Sequence, residues 1–339
     1  MAYITLNKKH FFNNLDIIAT LTKTKDKIAL VLKDNAYGHG LLEISSMAKE
    51  YGITKAVVQL ESEAVKIKDL FEYILILADT PKDPQENFCY TINSLKAIKT
   101  FPADTRVELK VNTGMNRNGI EMAELQAAFE MIEMQGLQLE AVFTHHGCAD
   151  EVHPLYEIQK HNFSIIKLNA TTLAEQKGFA PLRFHSCNSA ALFREDTCIE
   201  DMARVGIAAY GCLKTPFSSK EDMLQPVLAL YAHKISSRYL PVEGYVGYGA
   251  TFKAVQELMV STYDIGYGDG FLRILSNNYT TPDGIKIAGR ISMDNSSFLS
   301  KEDQVCIFND AREIAPKAKT ISYEILTSLK PHLQRKIVE

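Results

Sequence analysis

Ile28-Ala-Leu-Val-Leu-Lys-Asp-Asn-Ala-Tyr-Gly-His-Gly-Leu-Leu-Glu-Ile44 is the stretch on which the reading of the fold turns. It opens on the apolar run Ile28–Leu32, the pattern of a short strand buried on both faces. A polar turn with Gly38 and Gly40 follows. Then Leu41, Ile44, Ala48 and Tyr51 recur at i, i+3, i+7 and i+10, one face of a helix. Strand, loop and returning helix make one β/α unit. The alternation continues through Ala56–Gln59, Tyr73–Leu77, Phe88–Ile92, Val107–Val111, Leu139–Thr144, Leu182–His185 and Ala203–Ala208, with a second helical face at Met122, Leu125, Phe129 and Ile132. Eight strands alternating with helices call for a parallel sheet, and eight is the number that closes a barrel. An open doubly wound sheet would suit a nucleotide, but no Gly-x-Gly-x-x-Gly follows the first strand and no Walker motif occurs. The expected fold is an α/β (β/α)8 TIM-type barrel.

The texture changes near Ser218–Asp222. Beyond it Val227–Ile235, Leu258–Ile265 and Ile285–Met293 read as strands, and eight of the eighteen glycines fall between Gly244 and Gly289. Pro282-Asp-Gly284 is turn chemistry opening a strand, and Tyr323–Leu329 reads as a closing helix. A barrel over residues 10–220 is thus expected to be followed by a mainly β C-terminal domain over 221–339, with residues 1–9 adding a strand to it. Two domains suit 339 residues. Lys plus Arg is 37 against 41 Asp plus Glu, a net charge of −4, which disfavours a nucleic-acid binder. No apolar run nears membrane-helix length, and Met1–Lys9 has no signal-peptide core. Six cysteines without a Cys-x-x-Cys pair suggest free thiols in a reducing, cytoplasmic setting.

In a barrel, chemistry belongs to the C-terminal strand ends and the loops that follow. Those ends carry Lys33-Asp-Asn-Ala-Tyr-Gly-His-Gly40, Lys110 with Asn112-Thr-Gly-Met-Asn-Arg117, Thr144-His-His-Gly-Cys-Ala-Asp150, His185-Ser-Cys-Asn-Ser189 and Arg204-Val-Gly206. A lysine desolvated at the end of a buried strand becomes a usable nucleophile and base, and lysines so placed form Schiff bases. The plain alternative is a solvated lysine; Gly38 and Gly40, which let backbone approach a ligand, favour the reactive one. Ser189 and the N–H groups of Gly206 and Ile207 could hold an anion, although an N-cap and a tight turn would explain them equally. A reactive lysine facing a phosphate cradle suggests pyridoxal 5′-phosphate, an aldehyde at one end and a phosphate at the other.

These strings closely resemble the alanine racemase family, pyridoxal-phosphate enzymes built as a barrel plus a β-domain. Lys33-Asp-Asn-Ala-Tyr-Gly-His-Gly40 resembles the family's cofactor-lysine signature. Thr113-Gly-Met-Asn-Arg117, Thr144-His145, His185–Ser189, Arg204–Ile207, Gly247-Tyr-Gly-Ala-Thr251, Gly266-Tyr-Gly-Asp-Gly270, Gly289-Arg-Ile-Ser-Met-Asp294 and Ser322-Tyr-Glu324 match further family strings in order. The resemblance implies that Lys33 holds the cofactor covalently. It implies that Tyr37, Ser189, Gly206, Ile207 and Tyr323 hold its phosphate, that His145 and Asn188 line it, and that Arg204 faces its ring nitrogen. An arginine does not give up its proton and so leaves that nitrogen unprotonated. Racemisation needs an acid–base group on each face of the α-carbon, and the resemblance assigns these to Lys33 and to Tyr248 from the partner subunit of a homodimer. The Tyr248 proton would pass through His185 and Arg204. Arg117 and the Met293 N–H would bind the substrate carboxylate, Lys110 would brace Arg117 if carbamylated, and Tyr267 with Arg273 would gate entry. The implied activity is interconversion of L- and D-alanine for peptidoglycan.

Three departures from the family pattern stand out. Asp34 replaces the usual alanine, and strand geometry would turn it away from the site. His146 replaces a common phenylalanine; with His145, Cys148, Asp150 and His153 it superficially resembles a zinc site, but the spacing fits no standard ligand pattern and no metal is expected. The β-domain is short around Leu275–Pro282 and at its end, which bears on gate and dimer contacts. Two rivals are a pyridoxal-phosphate amino-acid decarboxylase and a non-catalytic pyridoxal-phosphate carrier. The Tyr248 and Met293-Asp294 strings argue against the first, and the β-domain carrying Tyr248 against the second. A broad-specificity or serine-preferring racemase stays open.

Overall fold

The computed structural model describes residues 1–217 and 219–339. Its strands are β1 (Tyr3–Asn7), β2 (Ile28–Val31), β3 (Lys55–Val58), β4 (Tyr73–Ile76), β5 (Phe88–Ile92), β6 (Arg106–Asn112), β7 (Ile120–Glu121), β8 (Gln138–Phe143), β9 (Arg183–His185) and β10 (Ala203–Val205). In the C-terminal part they are β11 (Leu228–Leu240), β12 (Tyr245–Val246), β13 (Phe252–Lys253), β14 (Leu258–Tyr263), β15 (Ser296–Phe298), β16 (Gln304–Phe308) and β17 (Gln334–Val338).

The expected barrel is present. Its strands run parallel in the order β10-β2-β3-β4-β5-β6-β8-β9, with β7 beside β6. Closure between β9 and β10 rests on a parallel bridge of Asn188 with Arg204, where the Arg204 N–H donates to the Cys187 carbonyl (2.9 Å). The apolar runs become strands because helices cover their outer faces: every residue of β2, β4 and β5 is buried. In β6 the two faces differ. Val107, Leu109 and Val111 alternate with Glu108 and Lys110, and all five are buried. The helix Leu155–Lys177 buries Tyr156, Phe163, Ile166, Ala170 and Ala174 against the barrel.

A second sheet, β15-β14-β11-β1-β17 with β16 on β11, forms the mainly β C-terminal domain. The amino-terminal strand β1 pairs with β11 and β17. The expected strand Ile285–Met293 is corrected: only isolated bridges form there, Thr280 to Lys286 and Ile287 to Phe298. Gly289 turns the chain at φ +82°, and its N–H donates to Asn277 Oδ1 (2.7 Å) while that of Ile291 donates to Ser276 Oγ (3.1 Å). Side chains thus take the donors a neighbouring strand would have used. Of the stretch where the texture was expected to change, Ser218 lies outside the described residues; a short 3₁₀ turn covers Ser219–Met223.

Candidate active site

A cavity of about 440 Å³ opens at the C-terminal mouth of the barrel. It is lined by residues of many strand ends and of the short helix Ser322–Ser328.

Lys33 follows β2, but the chain beyond it is not a simple loop. Asp34, Asn35, Ala36 and Tyr37 all lie in the left-handed region, at φ 55°, 56°, 53° and 51°. L-residues resist that conformation by roughly 1–2 kcal/mol each, so the surroundings must hold it. They do so from distant parts of the chain. The Asp34 N–H donates to Glu63 Oε1 (2.8 Å), the Leu41 N–H to Asn35 Oδ1 (2.9 Å), and Arg335 Nη2 to the Gly38 carbonyl (2.8 Å). His39 Nδ1 lies 3.1 Å from the carbonyls of both Ala36 and Tyr37. Burial lowers the His39 pKa to about 4, so the ring is neutral and stacks on Tyr210. Two expectations change here. Lys33 is not sealed as a strand-end lysine would be; a third of its side chain is exposed. Asp34 does not turn away, because the left-handed turn sets its Oδ2 3.9 Å from Lys33 Nζ.

Tyr37, Ser189, Gly206, Ile207 and Tyr323 line one part of the cavity together. The Tyr37 and Tyr323 rings are 5.7 Å apart, and burial pushes both hydroxyl pKa values upward, leaving protonated donors. A Cβ at Gly206 would sit 2.9 Å from Tyr37 Oη, so glycine lets that hydroxyl lie flush against the backbone. The Gly206 N–H donates to Ser189 Oγ (3.0 Å). Asn188 caps the helix Ser189–Glu195 through Oδ1 and donates Nδ2 to the His146 carbonyl (3.3 Å).

Lys110, Arg117, His145 and Arg204 also line the cavity, as do Asp34, His146 and Asp150. Burial, then the cations of Arg117, Arg204 and Lys33, lowers the Lys110 pKa to about 8. Among the described residues no carboxylate lies within ion-pair distance of it. Burial, then the cations of Arg204, Lys110 and Arg117, hold His145 well below its ordinary value, hence neutral. Arg204 gives Nη2 to the Thr144 carbonyl (2.7 Å) and Nη1 to both the His185 carbonyl (3.3 Å) and His185 Nδ1.

His185 itself is wholly buried behind Arg204, and its Nε2 bonds Glu108 Oε2 (2.8 Å). Both ring nitrogens of His185 thus have partners within the barrel, Arg204 on one side and Glu108 on the other. Tyr248, Met293, Tyr267 and Arg273 do not line the cavity. Tyr248 is 71% exposed on the β-domain, and Met293 and Tyr267 are exposed as well. Their loops are stitched together: the Gly268 N–H donates to the Met293 carbonyl (2.8 Å), and Gly249 packs against Arg290. His146 is buried, with Nε2 3.0 Å from Ser186 Oγ. Among the described residues no three His, Cys, Asp or Glu side chains converge as a metal site, and no helix is long and apolar enough to cross a membrane. Sequence reasoning missed Glu108. Its signal was a carboxylate two residues before Lys110 on an otherwise apolar strand.

Comparison with known proteins agrees over the whole chain. The family model for the alanine racemase N-terminal domain matches residues 6–214 and that for the C-terminal domain residues 227–337. The alanine racemase of a Nitratiruptor species is 42% identical over 335 residues, 99% of each chain. That of Campylobacter curvus is 41% identical over 342 residues, 100% of each. Among solved structures, an alanine racemase from Clostridium difficile 630 superposes with a TM-score of 0.90 at 25% identity, covering 100% of this chain and 96% of that one. One from Bacillus anthracis with bound L-Ala-P gives 0.85 at 26%, covering 100% and 95%.

Proposed function

The chain belongs to the alanine racemase family and is a racemase, and from that premise we propose that it interconverts L- and D-alanine with pyridoxal 5′-phosphate held in the barrel mouth. The observation that carries the cofactor assignment is a single cavity offering both a lysine amine and a cradle of hydroxyls at Tyr37, Ser189 and Tyr323 beside the flush backbone of Gly206. That donor set fits an aldehyde joined to a phosphate. Lys33 Nζ would hold the aldehyde carbon, with the phosphate on Tyr37, Ser189, Tyr323 and the N–H groups of Gly206 and Ile207. His145 and Asn188 would line the ring, and Arg204 would meet its nitrogen. When bound, the cofactor draws electron density from the substrate α-carbon and so acidifies its hydrogen.

The chain's own groups do the rest. Arg117 is suited to grip the substrate carboxylate as a fork, with the Met293 N–H as a second donor. Lys33 Nζ moves the α-proton on one face. The other face needs a second acid–base group, which we assign to Tyr248 of the partner subunit in a homodimer; its exposure supports this. Arg204 keeps its proton throughout. Carbamylated Lys110 would brace Arg117, and its lowered pKa and lack of a carboxylate partner among the described residues support that role. Tyr267, with Arg273, would gate entry, and the setting is cytoplasmic, supplying D-alanine for peptidoglycan. We keep the division at about residue 220 as part of this reading, the barrel binding cofactor and the β-domain lending Tyr248 and Met293.

The test is borohydride reduction of the yellow holoenzyme and peptide mapping, with α-deuterium exchange and loss of optical activity followed for each small L-amino acid in deuterated water. Cofactor fixed on the Lys33 peptide and racemisation fastest with alanine are expected. Label on another lysine would overturn the site, and carbon dioxide release would overturn the reaction.

A further inference from the structure

Glu108 lies inside the barrel, wholly buried, two residues before Lys110 on the same face of β6. An isolated carboxylate there would be strongly disfavoured. Three donors from two other strands meet it instead. Tyr73 Oη donates to Oε1 at 2.5 Å, Arg183 Nη2 donates to Oε1 at 3.2 Å, and His185 Nε2 lies 2.8 Å from Oε2. Burial works against its ionised form, but His185, Arg183 and Tyr73 outweigh burial and hold its pKa below the usual carboxylate range.

The donor and acceptor inventory then determines the state of His185. Arg204 Nη1 contacts His185 Nδ1, and a guanidinium can only donate, so Nδ1 must accept. The ring hydrogen is therefore on Nε2, facing Glu108, which as a carboxylate only accepts. An imidazolium would turn an Nδ1–H against the Arg204 N–H. Burial accordingly lowers the His185 pKa, with the Arg204 cation acting in the same direction and Glu108 opposing. Phe143 stacks on the ring with centroids 4.7 Å apart and planes 12° from parallel, so the imidazole has one orientation as well as one tautomer. Arg204 is held in turn. Its Nη1 also reaches the His185 carbonyl, and its Nη2 reaches the carbonyls of Thr144 and Ser186 (3.4 Å). It lines the cavity as a buried cation, with Glu108 one imidazole away and Glu200, beyond Ser186, acting on it in the same direction.

We propose that Glu108 is a positioning residue for the racemase reaction: through the Nε2–H tautomer of His185 it orients Arg204 and contributes to its counter-charge. The proposal rests on the reading of the cavity given above. The chain of bonds continues below it, since Arg183 Nη2 also donates to Glu140 Oε2 (2.8 Å) and Arg106 pairs with the same carboxylate. Glu140, Arg106 and Arg183 are partly exposed, so the network links the cavity to solvent at the far side of the strands.

The tautomer can be read without activity, by long-range ¹H–¹⁵N correlation of the His185 ring in cofactor-free protein. A neutral ring with its hydrogen on Nε2 is expected in the wild type. In E108Q, Arg204 still holds Nδ1 as an acceptor, so the hydrogen should stay on Nε2 while its ¹H and ¹⁵N signals shift through loss of the charged acceptor. The loaded E108Q enzyme should lose about tenfold or more in kcat while KM for alanine changes little, and E108D should recover part of the loss. A wild-type His185 with hydrogen on Nδ1, or charged at neutral pH, overturns the proposal even if E108Q does not fold. So does an E108Q protein with unchanged Nε2–H signals and unchanged kcat. Failure of the wild type to take up cofactor or racemise alanine would instead strike the functional reading, leaving the ring measurement to decide the role of Glu108.

Discussion

Lys110 shows how strongly one residue here is set by its neighbours. At neutral pH its ammonium sits among Arg117, Arg204 and Lys33, largely removed from water. Its folded-state pKa, about 8, lies below the ordinary 10.5, so the folded protein binds fewer protons there than the unfolded chain. The penalty is complete below about pH 8 and is relieved as pH rises toward 10.5. It amounts to roughly 3 kcal/mol from the size of that shift. A neutral amine available near pH 8 is the form that adds carbon dioxide, and the resulting carbamate would exchange a fourth clustered cation for an anion beside Arg117. We expect a ¹³C carbamate signal in protein equilibrated with labelled bicarbonate at about pH 8, absent from Lys110→Arg, and a fall in thermal midpoint when carbon dioxide is purged at about pH 7. A wild-type protein without that signal would refute carbamylation.

The turn Asp34–Tyr37 is the element that joins fold to chemistry. Four consecutive left-handed residues place Lys33 and Tyr37 in one cavity, and their hold comes from Glu63, His39 and Arg335, each outside the turn. Local propensity could not reveal it, because Asp, Asn, Ala and Tyr are not a sequence that selects this backbone by itself. The parallel strands were legible for the opposite reason: burial on both faces writes most of them as continuous apolar runs, so Ile28 and Tyr73 each lie in the strand expected for them. Ile285–Met293 alternates apolar residues with Lys286, Arg290 and Ser292, yet the N–H groups of Gly289 and Ile291 go to side chains of Asn277 and Ser276 and only isolated bridges form. Gly206 tests the turn from the opposite side. Gly206→Ala should push Tyr37 Oη out of place, given the 2.9 Å approach of the added Cβ. Cofactor affinity, followed by absorbance on titrating pyridoxal phosphate, should fall about ten- to a hundredfold with the fold retained. Affinity equal to wild type would remove Tyr37 from the cradle.

On the scale of the molecule, the barrel gathers one half of a site and the β-domain exposes residues that the family resemblance assigns to the other half. Lys33, Arg117 and Arg204 line a single cavity, whereas Tyr248, Tyr267 and Met293 lie outside it on loops tied together by the Gly266–Gly270 segment and Arg290. That separation was legible only through the motif strings, since nothing in the composition or periodicity of a glycine-rich β region marks one tyrosine of fifteen as reactive. If Tyr248 serves the neighbouring subunit, a C2 dimer contains two sites, each built from Lys33 of one chain and Tyr248 of the other. Lys33→Ala and Tyr248→Phe homodimers would then each lack one group at both sites. In a mixed dimer one site would lack both groups and the other would be intact. Random reassembly of equal amounts makes half the dimers mixed, so the mixture should regain about a quarter of wild-type activity. The measurement is racemisation rate before and after the two variants are dissociated and reassembled together. If Lys33 and Tyr248 of the same chain acted together, every mixed dimer would carry one defect in each site, and reassembly would add nothing to the sum of the separate variants.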